Sequence, residues 1–409
     1  MKKVLILTDS VSPPLNAPRM RNLYNNLCKK DYGWQPFLIA DFADNAQIYT
    51  LFEKPENVYQ LKISSSKNVI IWLFQFFVNL FFKPTERKML KKALQLSENR
   101  HFDLILCSVS NIFPMYAAAK LSEKLNIPLV FDFRDINEQW AQQEFNTHSF
   151  NFLGLGKPAN KIYGKLIVFQ RNRLINSAVH ITTVSRWHTD FFQKFGKKVS
   201  LIYNGFDQTE FFPQVIKNHK FTIVYAGRLS ASRVENLHTF FKTLNSMINS
   251  RQIDAEKIEI QWYIPENEYV AIDTMTEKYA LKHCNRHCAV VANNEIANVL
   301  NSSSILLILT SKTSKGVLTT KFFEYAGVEK PVLCIMSDEG ELERTIYETN
   351  AGLSARNQRE IRDFIMAQYQ IWQNQGYTQA PVNKEVKARF SRQQQAKQFV
   401  DIFNKIVKQ

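Results

Sequence analysis

Short apolar runs alternate along the chain with longer segments in which apolar residues recur at helical spacing. In the first half, the runs predict strands at residues 4–7, 37–40, 102–107, 129–133, 181–184 and 199–203. The pattern then restarts and predicts strands at 221–226, 258–264, 289–291, 305–309 and 331–335. Apolar strands that alternate with amphipathic helices are typical of parallel sheets covered on both faces. The sequence therefore predicts an α/β protein with two doubly wound, Rossmann-like domains.

A stretch with few periodic apolar positions separates the two sets of predicted strands. It runs from about residue 204 to 220 and contains Gly205 and Pro213. We therefore expect an N-terminal domain over 1–205 and a C-terminal domain over 206–384. The tail, 385–409, has apolar residues at helical spacing within a charged pattern. It can pack back on either domain, and packing on the N-terminal domain is the hypothesis we carry forward.

Composition narrows the classes of protein that the chain can belong to. Its 409 residues are 45% hydrophobic, which excludes bulk disorder, and its five scattered cysteines form no disulfide framework. The formal charge is +15, of which +12 falls within residues 1–205. A basic surface suits nucleic acid, an anionic membrane or phosphorylated ligands. The aromatic residues follow core periodicity and form no stacking stripe, which argues against nucleic acid.

The start, MKKVLILTDS, reads as a buried strand and not as a signal peptide, so we expect a cytoplasmic protein.

Ligands of open parallel sheets bind at the carboxyl ends of the strands, so the residues that follow each strand are candidates. After the first predicted strand comes a proline-rich loop with Asn16, and Arg19 and Arg21 open the next helix. These three residues are predicted to line an acceptor site, unless the segment is simply a solvated loop. Residues 132–135 read Asp-Phe-Arg-Asp, and their two acids and one arginine would orient hydroxyl groups or act as a general base. The alternative is an internal network of ion pairs.

The second half offers candidates for binding a diphosphate. Arg228 and Arg233 flank a predicted strand-to-helix junction, where two guanidinium groups can hold phosphate oxygens. Thr319 and Thr320 are plausible helix-start residues that offer free N–H groups to phosphate, and we group Lys321 with them. Glu324 lies about one turn further on, where a carboxylate can accept hydrogen bonds from a ribose diol. The alternative is a surface helix with an ordinary glutamate.

Seven pieces of sequence, in order, resemble one family of enzymes. They are the Pro-Pro loop after the first strand, VFDFRD (130–135), ITTVSRW (181–187), VSLIYNGFDQTEF (199–211), IVYAGRLSASR (223–233), TTKFFEYAGVEKPVLCI (319–335) and NAGL (350–353). The set is similar to the retaining glycosyltransferases of family 4 (group 1 type), which have the GT-B fold of two Rossmann-like domains facing a central cleft. The resemblance is to the bacterial branch that builds surface polysaccharides such as capsule and lipopolysaccharide.

The resemblance implies roles for individual residues. Arg228 and Arg233 would hold the donor diphosphate and stabilise the departing nucleotide, and Glu324 would bind the donor ribose. Gly316 stands where the family has the first of two paired glutamates. Asn16 and its neighbour replace the family's N-terminal glycine pair, and Asp132, Arg134 or Asp135 would stand in for an acceptor-domain histidine. No metal or other cofactor is expected, because cationic side chains can replace a metal ion in this fold.

An almost wholly apolar segment, 69–82, is followed by five cations at Lys83, Arg87, Lys88, Lys91 and Lys92. Fourteen residues are too few to span a membrane. The segment is either a buried core helix or an interfacial helix on anionic lipid, through residues 69–92.

The resulting hypothesis is a transferase that moves a sugar from a nucleotide-diphosphate sugar to a glycan, lipid-linked at the cytoplasmic face of a membrane. The alternatives are a non-catalytic GT-B protein that binds nucleotide-sugar or glycan as an assembly partner and, more remotely, a nucleotide-sugar epimerase.

Overall fold

A computed structural model describes residues 1–10, 18–41, 46–61, 69–109, 112–139, 156–229, 231–291, 293–310 and 316–408. The chain divides into two compact units. Unit 1 consists of Met1–Tyr203 together with Arg392–Gln409, and unit 2 consists of Asn204–Ser391. Among the described residues, none of the helices combines the length and the apolar character needed to cross a bilayer.

Unit 1 is built on a parallel sheet whose described strands lie in the order β3-β2-β1-β4-β5-β6-β7. The strands are β1 Lys2–Ser10, β2 Trp34–Asp41, β3 Val58–Gln60, β4 Leu104–Val109, β5 Leu129–Phe133, β6 His180–Thr183 and β7 Lys198–Leu201. The helices of the first part of the chain are α1 Pro18–Lys29, α2 Ala46–Leu51, α3 Val69–Phe82, α4 Pro84–Glu98, α5 Met115–Leu125, α6 Gly156–Ile175 and α7 Arg186–Gln193.

Unit 2 is built on a second parallel sheet, in the order β10-β9-β8-β11-β12-β13. Its strands are β8 Phe221–Ala226, β9 Ile258–Tyr263, β10 Asn285–Cys288, β11 Ile305–Leu309, β12 Val332–Ile335 and β13 Gly352–Ala355. Its helices are α8 Ala231–Asn249, α9 Tyr269–Lys278, α10 Asn293–Asn301, α11 Thr320–Gly327, α12 Glu341–Thr349, α13 Gln358–Gln375 and α14 Lys384–Ala388. The last helix of the chain, α15 Arg392–Val407, returns to unit 1.

Burial on both faces explains why the central strands are continuous apolar runs. In β1, Val4 and Ile6 face a core formed with α1 and α15, whereas Leu5 and Leu7 face the opposite core, which contains residues of α4, α5 and α6. Successive side chains of a strand point to opposite faces, so a strand covered on both sides is apolar at nearly every position. The doubly wound α/β architecture is therefore present in both units.

Three strands differ from the sequence prediction. The strand predicted at 289–291 is wrong, because Val290 is exposed and the edge strand β10 lies earlier, pairing with β9 from Asn285↔Ile260 to Cys288↔Tyr263. The edge strands β3 and β13 were not predicted. They contain only three and four residues, which is too short for an apolar pattern to stand out.

The helical tail is divided between the units. The helix α14 lies in unit 2, where Lys387 forms an ion pair with the buried Glu329. In α15, Phe399 and Phe403 are buried in the core that contains Trp34, whose indole N–H donates to Asn404 Oδ1 at 2.9 Å. The chain therefore enters unit 2 after residue 203 and leaves it after residue 391, whereas the sequence suggested boundaries at 205 and 384.

The order of the strands locates the expected ligand sites. In unit 1 the order of the strands reverses between β1 and β4, and in unit 2 it reverses between β8 and β11. We call each of these positions the switch point of its unit. Crevices at the carboxyl ends of such strand pairs are where open α/β sheets bind ligands.

Candidate functional site

The switch point of unit 2 contains a glycine that leaves room for a lysine. Gly227 follows β8 directly, has φ +137 and donates its N–H to the carbonyl of Tyr263 at 2.9 Å. A Cβ atom built on Gly227 would lie 2.0 Å from Lys321 Nζ. The positive φ favours glycine at this position, and any side chain there would have to displace the flexible end of Lys321.

Tyr225 holds the two sides of this switch point together. The ammonium of Lys321, at the start of α11, lies 4.3 Å from the centroid of the Tyr225 ring. The ring is buried, and its hydroxyl donates to the carbonyl oxygen of Arg228 at 2.7 Å. Lys321 is thus placed beside the loop that carries Arg228. The arrangement puts two cations and a helix N-terminus at the carboxyl ends of β8 and β11, where an anionic diphosphate would be stabilised.

Two further hydrogen bonds fix the loops of this site. The N–H of Leu229 donates to Glu268 Oε2 at 2.6 Å, which anchors the residue after Arg228. The side-chain amide of Asn236, in α8, donates to the carbonyl of Thr310 at the end of β11. The ends of both strands are therefore held by side chains from neighbouring elements and not by the loops alone.

The start of α11 has the form that the sequence predicted. Thr319 is the residue before the helix, with extended φ and ψ and no side-chain cap, and Thr320 is its first residue. Glu324 is half-buried and lies three residues after Lys321, which places both on one side of the helix. Gly316 is buried with φ +70, so the glutamate that the family has at this position would be strained here. Arg233 lies in α8, but its side chain is outside the described part of the structure.

In unit 1, Arg19 and Asp132 are bound to each other in the interior. Arg19 Nε and Nη2 donate to the two carboxylate oxygens of Asp132, each at 2.9 Å, and the exposures of the side chains are 2% and 0%. Asp132 also accepts from the Thr182 hydroxyl at 2.7 Å, and Arg19 Nη1 donates to the carbonyl of Tyr203 at 2.9 Å. The prediction that Arg19 contacts an acceptor and that Asp132 is catalytic is therefore corrected for these two residues. The alternative of an internal ion pair describes them, because their polar atoms already bind each other away from solvent.

Arg134 and Asp9 lie at the carboxyl ends of β5 and β1, where they are partly exposed. Arg134 Nη2 donates to both oxygens of Asp9 at 3.1 Å, and Asp9 also accepts from the Thr8 hydroxyl at 3.1 Å. The Nε–H of Arg134 is buried and has no hydrogen-bond partner among the described residues. This buried donor is therefore unsatisfied within the described residues. Arg21 is half-buried in the first turn of α1, and Asn16 lies outside the described residues.

Asp135 is oriented by a chain of hydrogen bonds that leads into the protein. Its carboxylate accepts from Gln139 Nε2 at 2.6 Å, and Gln139 Oε1 lies 2.6 Å from His188 Nε2. His188 Nδ1 in turn lies 2.7 Å from the hydroxyl of Ser185. These contacts require that Nε2 carries the proton of His188. Burial lowers the pKa of His188 to about 4, so the imidazole is neutral at physiological pH.

This series of hydrogen bonds was not predicted from the sequence, although Ser185, just before α7, is a signal for part of it. The Ser185 side chain accepts from the N–H of His188 and caps the helix, which places the histidine one turn in. Gln139 gives no signal of its own, because only the fold brings residues 139 and 188 together.

A cavity of about 290 Å³ lies beside the N-terminus of α5, close to the carboxyl end of β4. Its apolar wall includes Ile112, Phe113 and Ile167. Glu86 also lines it, and this buried carboxylate accepts the N–H groups of Tyr116 at 2.7 Å and Ala117 at 3.2 Å. Burial raises the pKa of Glu86. Because these N–H groups at the N-terminus of α5 already donate to Glu86, they are not available to an external anion.

The comparisons with known proteins agree with this architecture. The family model Glycosyltransferase Family 4 matches residues 45–210. Sucrose-phosphate synthase from Thermosynechococcus elongatus has a similar structure, with a TM-score of 0.65, 11% identity and coverage of 99% of each chain. The apo form of the lipopolysaccharide outer core galactosyltransferase WaaB matches with a TM-score of 0.59, 14% identity and coverage of 98% of this chain and 99% of that one. No curated protein gives a significant sequence match.

A different type of enzyme shares the fold. UDP-GlcNAc 2-epimerase from Neisseria meningitidis, bound to UDP-GlcNAc, matches with a TM-score of 0.56, 12% identity and coverage of 98% of this chain and 100% of that one. At such identities the structural likeness concerns the fold. Together with the family match, it confirms the predicted fold class and the resemblance to GT-B glycosyltransferases of family 4.

Proposed function

We propose that this chain, a glycosyltransferase of the GT-B fold and family 4 type, transfers a sugar from a nucleoside diphosphate sugar to a glycan with retention of configuration. The observation that carries the donor part of the proposal is the placement of Lys321 against Gly227 and Tyr225 at the unit 2 switch point. The neighbour UDP-GlcNAc 2-epimerase binds a nucleotide sugar on the same fold.

The proposed donor site uses side-chain cations in place of a metal ion. Arg228, Arg233 and Lys321 would offset the charge of the diphosphate and stabilise the nucleotide as it departs, and no cofactor is needed for this role. The N–H groups at Thr319 and Thr320 would add hydrogen bonds to phosphate oxygens. Glu324, on the same side of α11 as Lys321, would accept hydrogen bonds from the ribose diol.

Unit 1 supplies the proposed acceptor site. Arg134 and Asp135 follow β5, and Asp9 is the penultimate residue of β1, so three charged side chains lie at the carboxyl ends of these strands. Arg134 would orient an acceptor oxygen through its partly exposed guanidinium group, and Asp135, held by Gln139, would accept a proton from a hydroxyl group. Arg21 and Asn16 are the further acceptor residues of this proposal.

The acceptor we propose is a lipid-linked glycan of a surface polysaccharide, at the cytoplasmic face of a membrane. The structural neighbour WaaB is a lipopolysaccharide galactosyltransferase. In this chain, Phe74 and Phe77 are exposed in α3, and Arg87, Lys88 and Lys91 are exposed in α4, the helix that follows. Aromatic side chains with adjacent cations suit the surface of an anionic bilayer.

A panel of nucleoside diphosphate sugars tests the donor assignment. A ligand that binds only the folded state raises the unfolding temperature, so one nucleoside diphosphate should raise it selectively. The matching sugar should then release nucleotide slowly to water and faster with a glycan acceptor. Binding without release would favour the non-catalytic alternative, and conversion of the sugar without any acceptor would favour the epimerase.

A further inference from the structure

One face of α6 carries apolar and cationic side chains in alternation. Ile162, Lys165, Phe169 and Arg173 follow each other at intervals of three and four residues, which places them in one row along the helix. All four are exposed, Ile162 and Phe169 by 62% and 60%. The guanidinium of Arg173 lies 5.7 Å from the centroid of the Phe169 ring. The exposed row therefore combines apolar side chains with neighbouring positive charges.

The opposite face of α6 is firmly held. Ile167 and Ile175 are buried in the unit 1 core, and Arg171, exposed by only 1%, donates to both oxygens of Glu138 at 2.7 Å. The exposed row therefore belongs to a well-anchored helix, so its exposure does not arise from poor packing.

A second exposed apolar row lies on α3. Ile71, Phe74, Phe77 and Phe81 recur at intervals of three and four residues, and each side chain is about half exposed or more. The end of α3 is tied to α6, because Lys83 Nζ donates to Gln170 Oε1 at 2.8 Å and Gln170 Nε2 donates to the carbonyl of Leu80 at 3.4 Å. The two rows, which we call the α3/α6 face, thus belong to adjoining helices of unit 1.

Charge distinguishes between possible occupants of the α3/α6 face. Residues 156–175 contain five lysines and arginines and no acidic residue. Arg87, Lys88 and Lys91 of the adjoining α4 are also exposed. A second copy of this basic chain would bring like charges together, which is unfavourable. An anionic surface with an apolar interior satisfies both the cations and the aromatic rings.

We infer that the α3/α6 face docks on an anionic lipid bilayer, with α6 as a membrane-contacting element beside the segment 69–92. The apolar side chains of both rows enter the boundary between headgroups and acyl chains, and Lys165 and Arg173 contact the headgroups. The inference extends the proposed function, because it places unit 1, the proposed acceptor unit, at the surface that presents a lipid-linked acceptor.

Vesicle co-sedimentation of the full chain tests this assignment. The lipids are phosphatidylcholine alone and an equimolar mixture with phosphatidylglycerol. The wild type should bind the anionic vesicles, and added salt should weaken binding. The double variant Lys165→Gln/Arg173→Gln should weaken the partition constant about fivefold per cation, which is the about 1 kcal/mol expected for a charge near an anionic surface. The variant Ile162→Ser/Phe169→Ser should weaken it about tenfold or more, since each side chain then stays in water.

Matched controls lie in unit 2. Val215→Ser/Val270→Ser changes two apolar side chains that are as exposed as those of α6, and Lys257→Gln/Arg359→Gln removes two exposed cations. Both controls should bind vesicles like the wild type. Equal binding of the wild type to both vesicle types, binding to neither, or undiminished binding of both α6 variants would overturn the inference. So would a wild-type dimer, seen by analytical ultracentrifugation, that Ile162→Ser/Phe169→Ser dissociates.

The proposed activity is measured separately on the same proteins. Release of nucleotide from a donor sugar in the absence of vesicles should be unchanged in both α6 variants. If no protein releases nucleotide but vesicle binding follows the expected pattern, the proposed function fails and the α3/α6 face stands. If release is normal and vesicle binding shows none of the expected differences, only the inference about this face is wrong.

Discussion

The ammonium group of Lys321 occupies the space that a side chain of residue 227 would fill. Lys321 Nζ lies 2.0 Å from the position of a Cβ on Gly227, although the two residues are far apart in sequence and lie on opposite sides of the unit 2 switch point. Glycine matters at this position because the absence of a side chain leaves space for the ammonium group. It allows a cation from α11 to reach the loop that follows β8.

Replacement of either residue of this pair should weaken the binding of a nucleoside diphosphate. Lys321→Met removes a charged hydrogen-bond donor, worth about 1.5–3 kcal/mol, and affinity should fall about tenfold or more. Gly227→Ala should have a similar effect because the new methyl group displaces the ammonium. The double variant should bind no more weakly than the weaker single variant, as expected when two changes remove one interaction. Isothermal titration measures all three affinities.

The control for strain is Gly376→Ala, because Gly376 also has a positive φ, of +79, but lies at the end of α13. It should lose stability and keep its affinity. Wild-type affinity in a folded Gly227→Ala variant would contradict the proposed role of Lys321.

Arg228 is predicted to act on the transition state. Arg228→Ala should reduce the rate of sugar transfer by about 10²–10³, the scale of losing one preorganised charge stabiliser, with little change in stability because the side chain is exposed. Steady-state kinetics with the donor found by the panel measures the loss. Arg286→Ala, at another exposed arginine of unit 2, should retain full activity. Unaltered turnover of a folded Arg228→Ala protein would remove Arg228 from the site.

Glu324 is predicted to recognise the ribose. Glu324→Gln should weaken the binding of a ribonucleoside diphosphate by about 1.5–3 kcal/mol, the value of a hydrogen bond to a charged group. The loss should be much smaller for the matching 2′-deoxy nucleotide, because part of the diol is already missing. Titration of both nucleotides against both proteins checks this difference. Equal losses for the two nucleotides would place Glu324 elsewhere than at the ribose.

The Arg19–Asp132 pair should matter for stability. Asp132→Asn leaves the buried guanidinium of Arg19 without its counter-charge, so the free energy of unfolding should fall by about 3–5 kcal/mol. Replacing both partners, as in Arg19→Met/Asp132→Leu, should recover much of the loss because no charge then remains buried. Chemical denaturation gives both values. An Asp132→Asn protein as stable as the wild type but inactive would restore the catalytic role that the sequence suggested.

His188 should make the protein less stable in acid. Its pKa is about 4 in the folded state and 6.5 in an ordinary environment, so between these values the unfolded chain binds a proton that the folded chain does not. The free energy of unfolding therefore falls as the pH is lowered from 6.5 to 4, by up to about 3 kcal/mol from this group. His188→Gln should lack this part of the loss. Denaturation curves across the range, with the exposed His219→Gln as control, measure it. Parallel pH profiles for wild type and His188→Gln would contradict the burial of a neutral imidazole.

The amino-acid sequence by itself determined the architecture of both units. The apolar runs of β4, β5 and β11 stand out in the sequence because strands covered on both faces are apolar at nearly every position. It also indicated which strand ends carry charged residues, since Arg134 follows β5 directly and Arg228 follows β8 after one glycine.

Only the tertiary structure decided what each charged residue binds. Sequence places Asp132, Arg134 and Asp135 side by side, yet Asp132 is buried against Arg19, Arg134 pairs with Asp9, and Asp135 is held by Gln139. These partners come from distant parts of the chain, and local pattern has no access to contacts between distant residues. The exposed row of α6 could not be predicted for the same reason. Which face of a helix is covered depends on the elements that pack against it.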